Sequence, residues 1–396
     1  MVDRPVYMDN HATTRVDPRV VEAMAPYFTE QYGNPGSVSH SFGWQAKEAV
    51  DAARAEIAAA IGAGERDLVF TSGATESNNL AIRGIADRVR RKGNHFVTVA
   101  TEHKSVLDPL ARLSRRGFEV TLLPVEQATS ERAGLIDLDR LAEAIRPETL
   151  LVSVMLANNE IGMIQPLTEI AAICRQRGIP LHCDATQAVG KMPVDVDVLG
   201  VDLMSFTAHK IYGPKGVGAL YVRRRNSAAR LQPQIDGGGQ EGGVRSGTLN
   251  VPGIVGFAKA ISLCLDEMPE ERPRLTALRD RLYAGLIERL EGVTLNGLPL
   301  ADERRLPGNL NTSFAYVNGE ALMMSMQHLA VSSGSACTSA NPEPSHVLRA
   351  LGLDEDQTRA SLRFGLGRFT TAEDVEFAIG AVAEAVKRLR KLSSLA

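Results

Sequence analysis

Cysteine is scarce in this chain, and its cysteines are widely separated. The 396 residues include four cysteines, Cys174, Cys183, Cys264 and Cys337, and no two of them form a C-x-x-C pair. This spacing suits neither a disulfide framework nor a zinc site. It predicts free thiols in a reducing, cytoplasmic compartment, where a reactive thiol stays reduced.

Net charge and long apolar runs are also lacking. The formal net charge of −3 gives no attraction to nucleic acid or to an anionic membrane, so neither is expected as a partner. No apolar segment has the length needed to span a bilayer, and residues 1–5 lack the core of a signal peptide. The content of 44% hydrophobic and 23% charged residues is typical of a soluble globular protein.

The order of predicted elements indicates an α/β protein with a second, smaller part. Between residues 67 and 222, short apolar runs alternate with amphipathic helical patterns, which predicts a mostly parallel sheet with helices on both faces. From about residue 260, long charged helices and a few strands predict an α+β domain. We assign residues 16–259 to a large domain, and residues 1–15 and 260–396 to a small one.

A lysine follows the apolar run at 203–206, in the cluster Thr207-Ala208-His209-Lys210. Parallel sheets place their chemistry at this carboxyl edge, and a lysine with a neutral amine forms Schiff bases with carbonyl cofactors. Taken alone, a solvated loop lysine is the better interpretation of Lys210. The residues at other strand ends favour the Schiff-base interpretation of Lys210 instead.

The first clear strand, residues 67–70, runs into Thr71-Ser72-Gly73-Ala74-Thr75 and then into a helix. A strand, a glycine and small hydroxyl residues before a helix start make a cup of backbone N–H groups that binds phosphate. The alternative is a Ser/Thr-capped helix with Glu three positions on. On this stretch alone the cap is favoured.

Two further strand ends carry ionisable groups, His103 and Asp184. His103 could merely cap a helix, and Asp184 could cap the segment that follows it. Near the N-terminus, the polar stretch 9–14 is either a turn or part of a site; alone, the turn is favoured. A site made of these parts would bring together residues from several strand ends.

These strand ends supply what a phosphorylated pyridine aldehyde cofactor requires. Lys210 supplies the amine, and a carboxylate at Asp184 would favour the protonated pyridine nitrogen. His103 would stack on the ring and pass protons, and Gln187 would donate to the ring oxygen. The phosphate would lie on the backbone of residues 73–75, with Thr207 and His209.

Two other segments hold chemistry of their own. The stretch 237–248 contains a formal GxGxxG match, but no clear strand precedes it and Pro252 follows where a helix should begin, so a dinucleotide site is weakly supported. Cys337 lies among small polar residues, in a segment expected to be exposed and mobile. Cys174, Cys183 and Cys264 have neighbours that suggest burial, so Cys337 is the candidate reactive thiol.

The chain resembles the cysteine desulfurases of the class V aminotransferase superfamily, most closely their housekeeping iron–sulfur branch. The similarity runs from Tyr7-Met8-Asp9 to the segment 363–370. It rests on these motifs: Ser72-Gly73-Ala74-Thr75-Glu76-Ser77-Asn78, Thr101-Glu102-His103-Lys104, Asn158-Asn159-Glu160-Ile161-Gly162, Asp184-Ala185-Thr186-Gln187, His209-Lys210-Ile211-Tyr212-Gly213-Pro214-Lys215-Gly216, Arg245-Ser246-Gly247-Thr248 and Ser332-Ser333-Gly334-Ser335-Ala336-Cys337-Thr338-Ser339.

The resemblance implies a fold-type I homodimer that binds pyridoxal 5′-phosphate as a Schiff base with Lys210. Asn159 and Arg363 would hold the carboxylate of L-cysteine, the arginine as a bidentate fork, and Thr248 would reach the cofactor phosphate of the partner subunit. Cys337 would take the substrate sulfur as a persulfide, leaving alanine. The sulfur would pass to an iron–sulfur scaffold protein or another acceptor.

The resemblance also defines the residues expected at the site. The catalytic ones are Lys210, Cys337 and His103. The cofactor-binding ones are Ala74, Thr75, Asn159, Asp184, Gln187, Thr207, His209, Lys210 and Thr248. Cys337 is also a candidate ligand for a trapped cluster, although no spacing in the chain requires a metal.

Three other functions remain open at this stage. A selenocysteine lyase, or another class V lyase or aminotransferase, would use the same cofactor without needing Cys337. A nucleotide-binding oxidoreductase would use the glycines at 237–242. A non-catalytic sulfur carrier would use Cys337 but would have no need of Lys210.

Overall fold

The computed structural model describes residues 5–89, 93–333 and 344–392. Its strands are β1 Val6–Tyr7, β2 Leu68–Thr71, β3 His95–Val99, β4 Glu119–Leu123, β5 Thr149–Ser153, β6 Leu181–Asp184, β7 Leu203–Thr207, β8 Gly218–Val222, β9 Val293–Leu295, β10 Asn309–Phe314, β11 Leu329–Ala330 and β12 Ser361–Gly365. Its helices are α1 Pro18–Met24, α2 Pro26–Thr29, α3 Ser41–Ala60, α4 Ala74–Val89, α5 Lys104–Ser114, α6 Leu138–Ala144, α7 Leu167–Arg177, α8 Val196–Leu199, α9 Val251–Arg289, α10 Gly319–Met324, α11 His346–Ala350, α12 Glu355–Arg359 and α13 Ala372–Leu392.

A seven-stranded sheet in the order β2-β8-β7-β6-β5-β3-β4 forms the centre of the molecule. β8 is antiparallel to both of its neighbours, and the other pairings are parallel. The predicted mostly parallel sheet is therefore confirmed. Because β8 runs opposite to both of its neighbours, β2 points the same way as β7. The carboxyl ends of β2, β3, β6 and β7 therefore lie at one edge of the sheet.

Successive residues of each strand pack on opposite faces of this sheet, as strand geometry requires. Phe206 and its partner ring Phe257 belong to the core on one face, with α3 and the first half of α9. Leu203 and Leu220 belong to the core on the other face, with α4 and α5. Strands buried on both faces are mostly apolar, which explains why their positions can be predicted from apolar runs.

A second body is built on the antiparallel sheet β12-β10-β9 and the parallel pair β1-β11. α13 and the end of α9 cover it, and their side chains join Phe314 and Phe364 in a separate core. The proposed division at 259/260 falls inside α9, whose first half packs on the large sheet and whose last turns pack here. The division into domains stays a proposal.

The start of α9 differs from the sequence expectation. Pro252 was taken as evidence against a helix, but α9 begins at Val251, and the Asn250 side chain accepts from the Gly253 N–H at 3.0 Å. Proline is well suited to the first turn of a helix, where its missing N–H costs no hydrogen bond.

Among the described residues, no helix has both the length and the apolar character that a membrane span requires.

The glycine-rich segment 237–248 forms a loop that is fastened to the large sheet. In the described chain, the element before it is a short 3-10 turn, Ser227–Ala229, rather than a strand. Glu241 accepts from the Phe70 N–H at 2.7 Å and pairs with Arg54 at 2.5 Å. The strand–turn–helix context of a dinucleotide site is thus missing, which disfavours the oxidoreductase alternative.

Candidate active site

A cavity of about 520 Å³ lies at the carboxyl edge of the large sheet. Most of the predicted site residues line it: Ala74, Thr75, His103, Asn159, Asp184, Gln187, His209, Lys210 and Arg363. A larger cleft of about 860 Å³ adjoins it and shares Thr75, His103 and Asn159. The strand ends singled out in the sequence therefore meet in one place.

Lys210 is placed by the end of β7 and a 3-10 turn, Ala208–Lys210. Its Nζ donates to the carbonyl oxygens of His11 at 2.5 Å and Ala12 at 2.6 Å. The polar stretch near the N-terminus, for which a turn was the favoured interpretation, is thus also part of the site. A lysine held by two backbone carbonyls in a cavity is not a solvated loop lysine.

Gln187 and a second lysine lie beside this contact. Gln187 Nε2 donates to the His11 carbonyl at 2.9 Å, while its Oε1 accepts from Lys191 Nζ at 2.6 Å. Burial lowers the pKa of Lys191 to about 7, and the charge of Lys210 adds to this effect. The same oxygen lies 3.0 Å from His11 Nδ1. These contacts fix the orientation of the Gln187 amide before any ligand binds.

Asp184 is buried at the end of β6. Its Oδ2 accepts from Asn78 Nδ2 at 2.7 Å, and its Oδ1 accepts from the Thr186 N–H at 3.0 Å. The second contact is the capping arrangement considered from sequence. The carboxylate therefore caps the turn that follows and also lines the cavity, so the two interpretations are compatible.

His103 both caps a helix and lines the cavity. It caps α5, since its Nδ1 accepts from the Ser105 N–H at 3.1 Å and lies 2.8 Å from Ser105 Oγ. Its ring also lines the cavity. Burial lowers the pKa of His103, with Lys210 acting in the same direction and Asp184 opposing it. The imidazole is consequently neutral near pH 7.

The start of α4 forms the expected cup of backbone N–H groups. Gly73 precedes the helix with a φ of 152°, a conformation that side chains rarely allow. A Cβ on Gly218 of the neighbouring strand would lie 2.7 Å from Gly73 Cα, so this close approach requires glycine at position 218. Glu76 accepts from the Ser72 N–H at 2.8 Å and pairs with Arg245, which leaves the N–H groups of the first turn directed at the cavity.

Positive charge and a neutral histidine flank this cup. Lys215 lines the cavity with His209 and Lys210. Burial lowers the pKa of His209 to about 4, helped by both lysines, and its Nδ1 lies 3.1 Å from Thr13 Oγ1. An anion at the α4 N-terminus would thus be met by the helix dipole and by two ammonium groups.

Arg363 lies on β12 and enters the cavity from the small sheet. Its Nη2 donates to Asp9 Oδ1 at 2.8 Å and its Nη1 to the Asn159 carbonyl at 3.1 Å. Its buried Nε and the Thr186 hydroxyl have no hydrogen-bond partner in the described structure. Since buried polar groups are nearly always paired, these atoms indicate a polar ligand.

Two of the expected site residues that the structure describes, Thr207 and Thr248, do not line this cavity. The Thr207 hydroxyl donates to the Val217 carbonyl at 2.9 Å and is buried beneath the cavity lining. Thr248 is exposed and is absent from the lining. Cys337 lies outside the described residues.

The remaining cysteines are buried, as predicted. Burial raises the pKa of the Cys174 and Cys264 thiols to about 12, and it raises that of Cys183 as well. Such thiols are poor nucleophiles. No group of three or more His, Cys, Asp or Glu side chains among the described residues is arranged to hold a metal ion.

Several residues of the site were not singled out in the sequence. His11 and Asn78 reach the site through contacts with distant parts of the chain. Ser105, Lys191 and Lys215 lie close in the chain to His103, Gln187 and Lys210. Lys215 offered a signal, since it lies in the same glycine-rich turn that follows Lys210. Asn78 lies inside a helix, where its amide gives no local indication of a role.

The comparisons with known proteins agree with this geometry. The Aminotransferase class-V family matches residues 6–377. The chain belongs to this family. It is 57% identical over 391 residues to "Cysteine desulfurase IscS" of Anaeromyxobacter dehalogenans (strain 2CP-C), covering 99% of this chain and 95% of that one.

Two solved structures show the same architecture. "NIFS-LIKE PROTEIN" has a TM-score of 0.89 and 37% identity, covering 97% of this chain and 100% of that one. "SspA in complex with cysteine" has a TM-score of 0.79 and 37% identity, covering 92% and 99%. The fold-type I assignment is thereby confirmed.

Pyridoxal 5′-phosphate is the cofactor of this class V enzyme, and the residues present fit it. Lys210 would bond its aldehyde, Asp184 would face its ring nitrogen, and the α4 cup with His209 would hold its phosphate. The unpaired Thr186 hydroxyl and the close glycine pair at the cup are the observations that favour this fit. When bound, the cofactor withdraws electrons from bonds at the α-carbon of an amino acid substrate.

Proposed function

We propose that this protein is a cysteine desulfurase that converts L-cysteine to L-alanine and transfers the sulfur to Cys337. The observation that carries the proposal is the convergence of Lys210, Asp184 and Arg363 on one cavity. The names of the relatives support the choice of substrate. Arg363 and Asn159 would hold the substrate carboxylate, because a buried guanidinium with an unpaired Nε is a strong carboxylate donor.

The proton transfers are assigned to Lys210 and His103. The Lys210 amine is held against two carbonyl oxygens, and as a free amine it would act as a base toward the α-carbon of the substrate. His103 is neutral because burial lowers its pKa, so it accepts a proton without first losing one. Gln187 is oriented by Lys191 and would donate to the ring oxygen of the cofactor.

Sulfur transfer is assigned to Cys337. Its thiolate attacks the sulfur of the bound cysteine, so that an S–S bond forms as the Cβ–S bond breaks. The electron pair of the broken bond stays with the substrate carbon, which takes up a proton and leaves as alanine. No external oxidant is required. Forming the S–S bond oxidises sulfur by two electrons, and the substrate carbon takes up these electrons when the Cβ–S bond breaks.

We propose a homodimer in which Thr248 completes the site of the partner subunit. Thr248 is exposed and lies outside the cavity of its own chain. Exposed aromatic side chains between residues 28 and 44 also favour a partner surface, because exposed apolar patches often mark interfaces. They are Phe28, Tyr32, Phe42 and Trp44, and the rings of Tyr32 and Phe42 lie 5.4 Å apart. Light scattering of the purified protein should give twice the chain mass of 42.7 kDa.

The persulfide is proposed to supply an iron–sulfur scaffold protein or another sulfur acceptor in the cytoplasm. The high identity to relatives named IscS supports this role. Incubation with radiolabelled cysteine and a candidate acceptor should move label to the acceptor.

A visible spectrum before and after adding cysteine, with an alanine assay, tests the function. The protein should be yellow, change its spectrum with cysteine and release alanine. Release of alanine from selenocysteine, with none from cysteine, would instead identify a selenocysteine lyase. A colourless protein that gains no visible absorbance from added pyridoxal phosphate would overturn both assignments.

A further inference from the structure

A chain of buried side chains joins Asp184 to His103. Asn78 Nδ2 donates to Asp184 Oδ2 at 2.7 Å and to Ser105 Oγ at 2.8 Å. Ser105 Oγ in turn lies 2.8 Å from His103 Nδ1. Asn78 is fully buried, and Ser105 is 7% exposed. Two side chains that line the same cavity are therefore connected through protein atoms alone.

The direction of every hydrogen bond in this chain is determined. The reverse orientation of the Asn78 amide would place its oxygen against the Asp184 carboxylate, so Nδ2 must face Asp184. Its two hydrogens then go to Asp184 and to Ser105 Oγ. Ser105 Oγ keeps its own hydrogen and lies 2.8 Å from His103 Nδ1, so the direction of this last bond depends on whether Nδ1 carries a proton.

The backbone confirms the state of that nitrogen. The Ser105 N–H is also 3.1 Å from His103 Nδ1, and a backbone N–H can only donate. His103 Nδ1 therefore receives two donors and carries no proton. The single ring proton of neutral His103 must then lie on Nε2.

We propose that Ser105, oriented by Asn78, is a positioning residue that holds His103 neutral with its proton on Nε2. The catalytic importance of this role rests on the proposed function, in which His103 moves protons during the reaction. Donors at Nδ1 favour the neutral ring and oppose protonation. The hydroxyl thus sets both the pH at which His103 takes up a proton and the atom that exchanges it.

Other charged groups face His103 and set the background to this effect. Asp184 and Asp108 raise its pKa, whereas Lys210 and His346 lower it. His346 is itself held by the Glu102 carbonyl at 2.8 Å. In the described part of the chain, Asp108, Lys210 and His346 have no hydrogen bond to the Ser105 hydroxyl, and Asp184 keeps its bond from Asn78 in Ser105→Ala.

The test uses the full-length holoenzyme, labelled with ¹⁵N-histidine, and three variants. Ser105→Ala removes the hydroxyl, and Ser105→Thr retains it. Ser153→Ala is the matched control, because Ser153 is a buried serine whose Oγ lies 2.8 Å from His182 Nδ1, away from the cavity lining. The His103 signal is assigned by its loss in His103→Gln, and each protein is titrated by NMR.

The parent should show the Nε2–H tautomer at His103. Loss of one donor in Ser105→Ala should raise the pKa of His103 by roughly half to one unit, and Ser105→Thr and Ser153→Ala should match the parent. The acid limb of the pH profile for alanine formation should move upward by the same amount in Ser105→Ala only.

An Nδ1–H tautomer in the parent, an unchanged His103 pKa in Ser105→Ala, or an equal shift in Ser153→Ala would each overturn the proposal. The NMR titration needs no turnover. A protein that makes no alanine from cysteine but shows these shifts would therefore refute the proposed function and leave the role of Ser105 standing.

Discussion

The Arg363 guanidinium is held by Asp9, with Nη2 donating to Oδ1 at 2.8 Å. Arg363 lies on β12 and Asp9 in the N-terminal arm, 354 positions apart. A second contact, from Nη1 to the Asn159 carbonyl at 3.1 Å, also supports the planar group. The fork is consequently oriented before substrate arrives, which reduces the ordering that binding would otherwise require.

Arg363→Lys should raise KM for cysteine by roughly 10- to 100-fold, with a smaller effect on kcat. An ammonium group provides no planar fork for a carboxylate, and charge-assisted fork contacts are worth about 1.5–3 kcal/mol. Steady-state alanine formation gives both constants. Asp9→Asn is the control, because it keeps an acceptor for Nη2 and removes a carboxylate that competes with the substrate. A KM raised equally in both variants would show that the pair is only structural.

Lys210→Ala should lose the visible absorbance of the lysine-bound cofactor and reduce alanine formation by roughly 10³-fold or more. Lys215 provides the matched control, since it lines the same cavity without contacting the His11 and Ala12 carbonyls. Lys215→Ala should keep the absorbance and lose cofactor more readily on dialysis, because it removes charge near the phosphate cup. An unchanged spectrum and turnover in Lys210→Ala would refute the assignment of the amine.

Cys337→Ala should stay yellow and form no protein persulfide. The other thiols cannot replace it, because they are buried and the pKa values of Cys174 and Cys264 are raised to about 12. Persulfide is measured by alkylation and mass spectrometry after a single addition of cysteine. Cys174→Ala and Cys264→Ala should form it at the parent rate. Sulfur delivery by Cys337→Ala at the parent rate would contradict the nucleophile role.

The central sheet was predictable because its strands are buried on both faces. Such strands appear as apolar runs whatever the rest of the chain does, and polar residues at their ends then stand out. Asp184 follows one such run and Lys210 another, so their meeting at one edge follows from parallel pairing. The start of α9 was missed because Pro252 suits both a loop and a first helical turn.

The supporting side chains of the site could not be predicted in the same way. Asn78 contacts Asp184 across 106 positions, and Lys210 contacts the His11 carbonyl across 199. Neither contact leaves a periodic or local signal, because each depends on how separate elements pack. Thr248 and Cys337 were assigned from the resemblance alone, and their roles stay predictions.

Glu160→Gln should make the protein more stable above pH 7. Glu160 is buried, its Oε2 accepts from the Ser345 hydroxyl at 2.5 Å, and burial raises its pKa to about 7. A carboxyl whose pKa is higher in the folded state favours folding at low pH, and this contribution is lost as pH rises from about 4.5 through 7. The glutamine keeps an acceptor for Ser345 and has no charge to bury.

The expected gain in the free energy of unfolding is at most about 3 kcal/mol at pH 8, since each pKa unit is worth about 1.4 kcal/mol. It should shrink to a few tenths of a kcal/mol near pH 4.5, where the carboxyl is protonated in the folded state and half ionised in the unfolded state. Thermal unfolding of the holoenzyme from pH 5 to 8 measures the trend. Glu143→Gln, on an exposed face of α6, should follow the parent at every pH. A Glu160→Gln curve parallel to that of the parent would mean that Glu160 ionises without cost, because water or Arg363 compensates its charge.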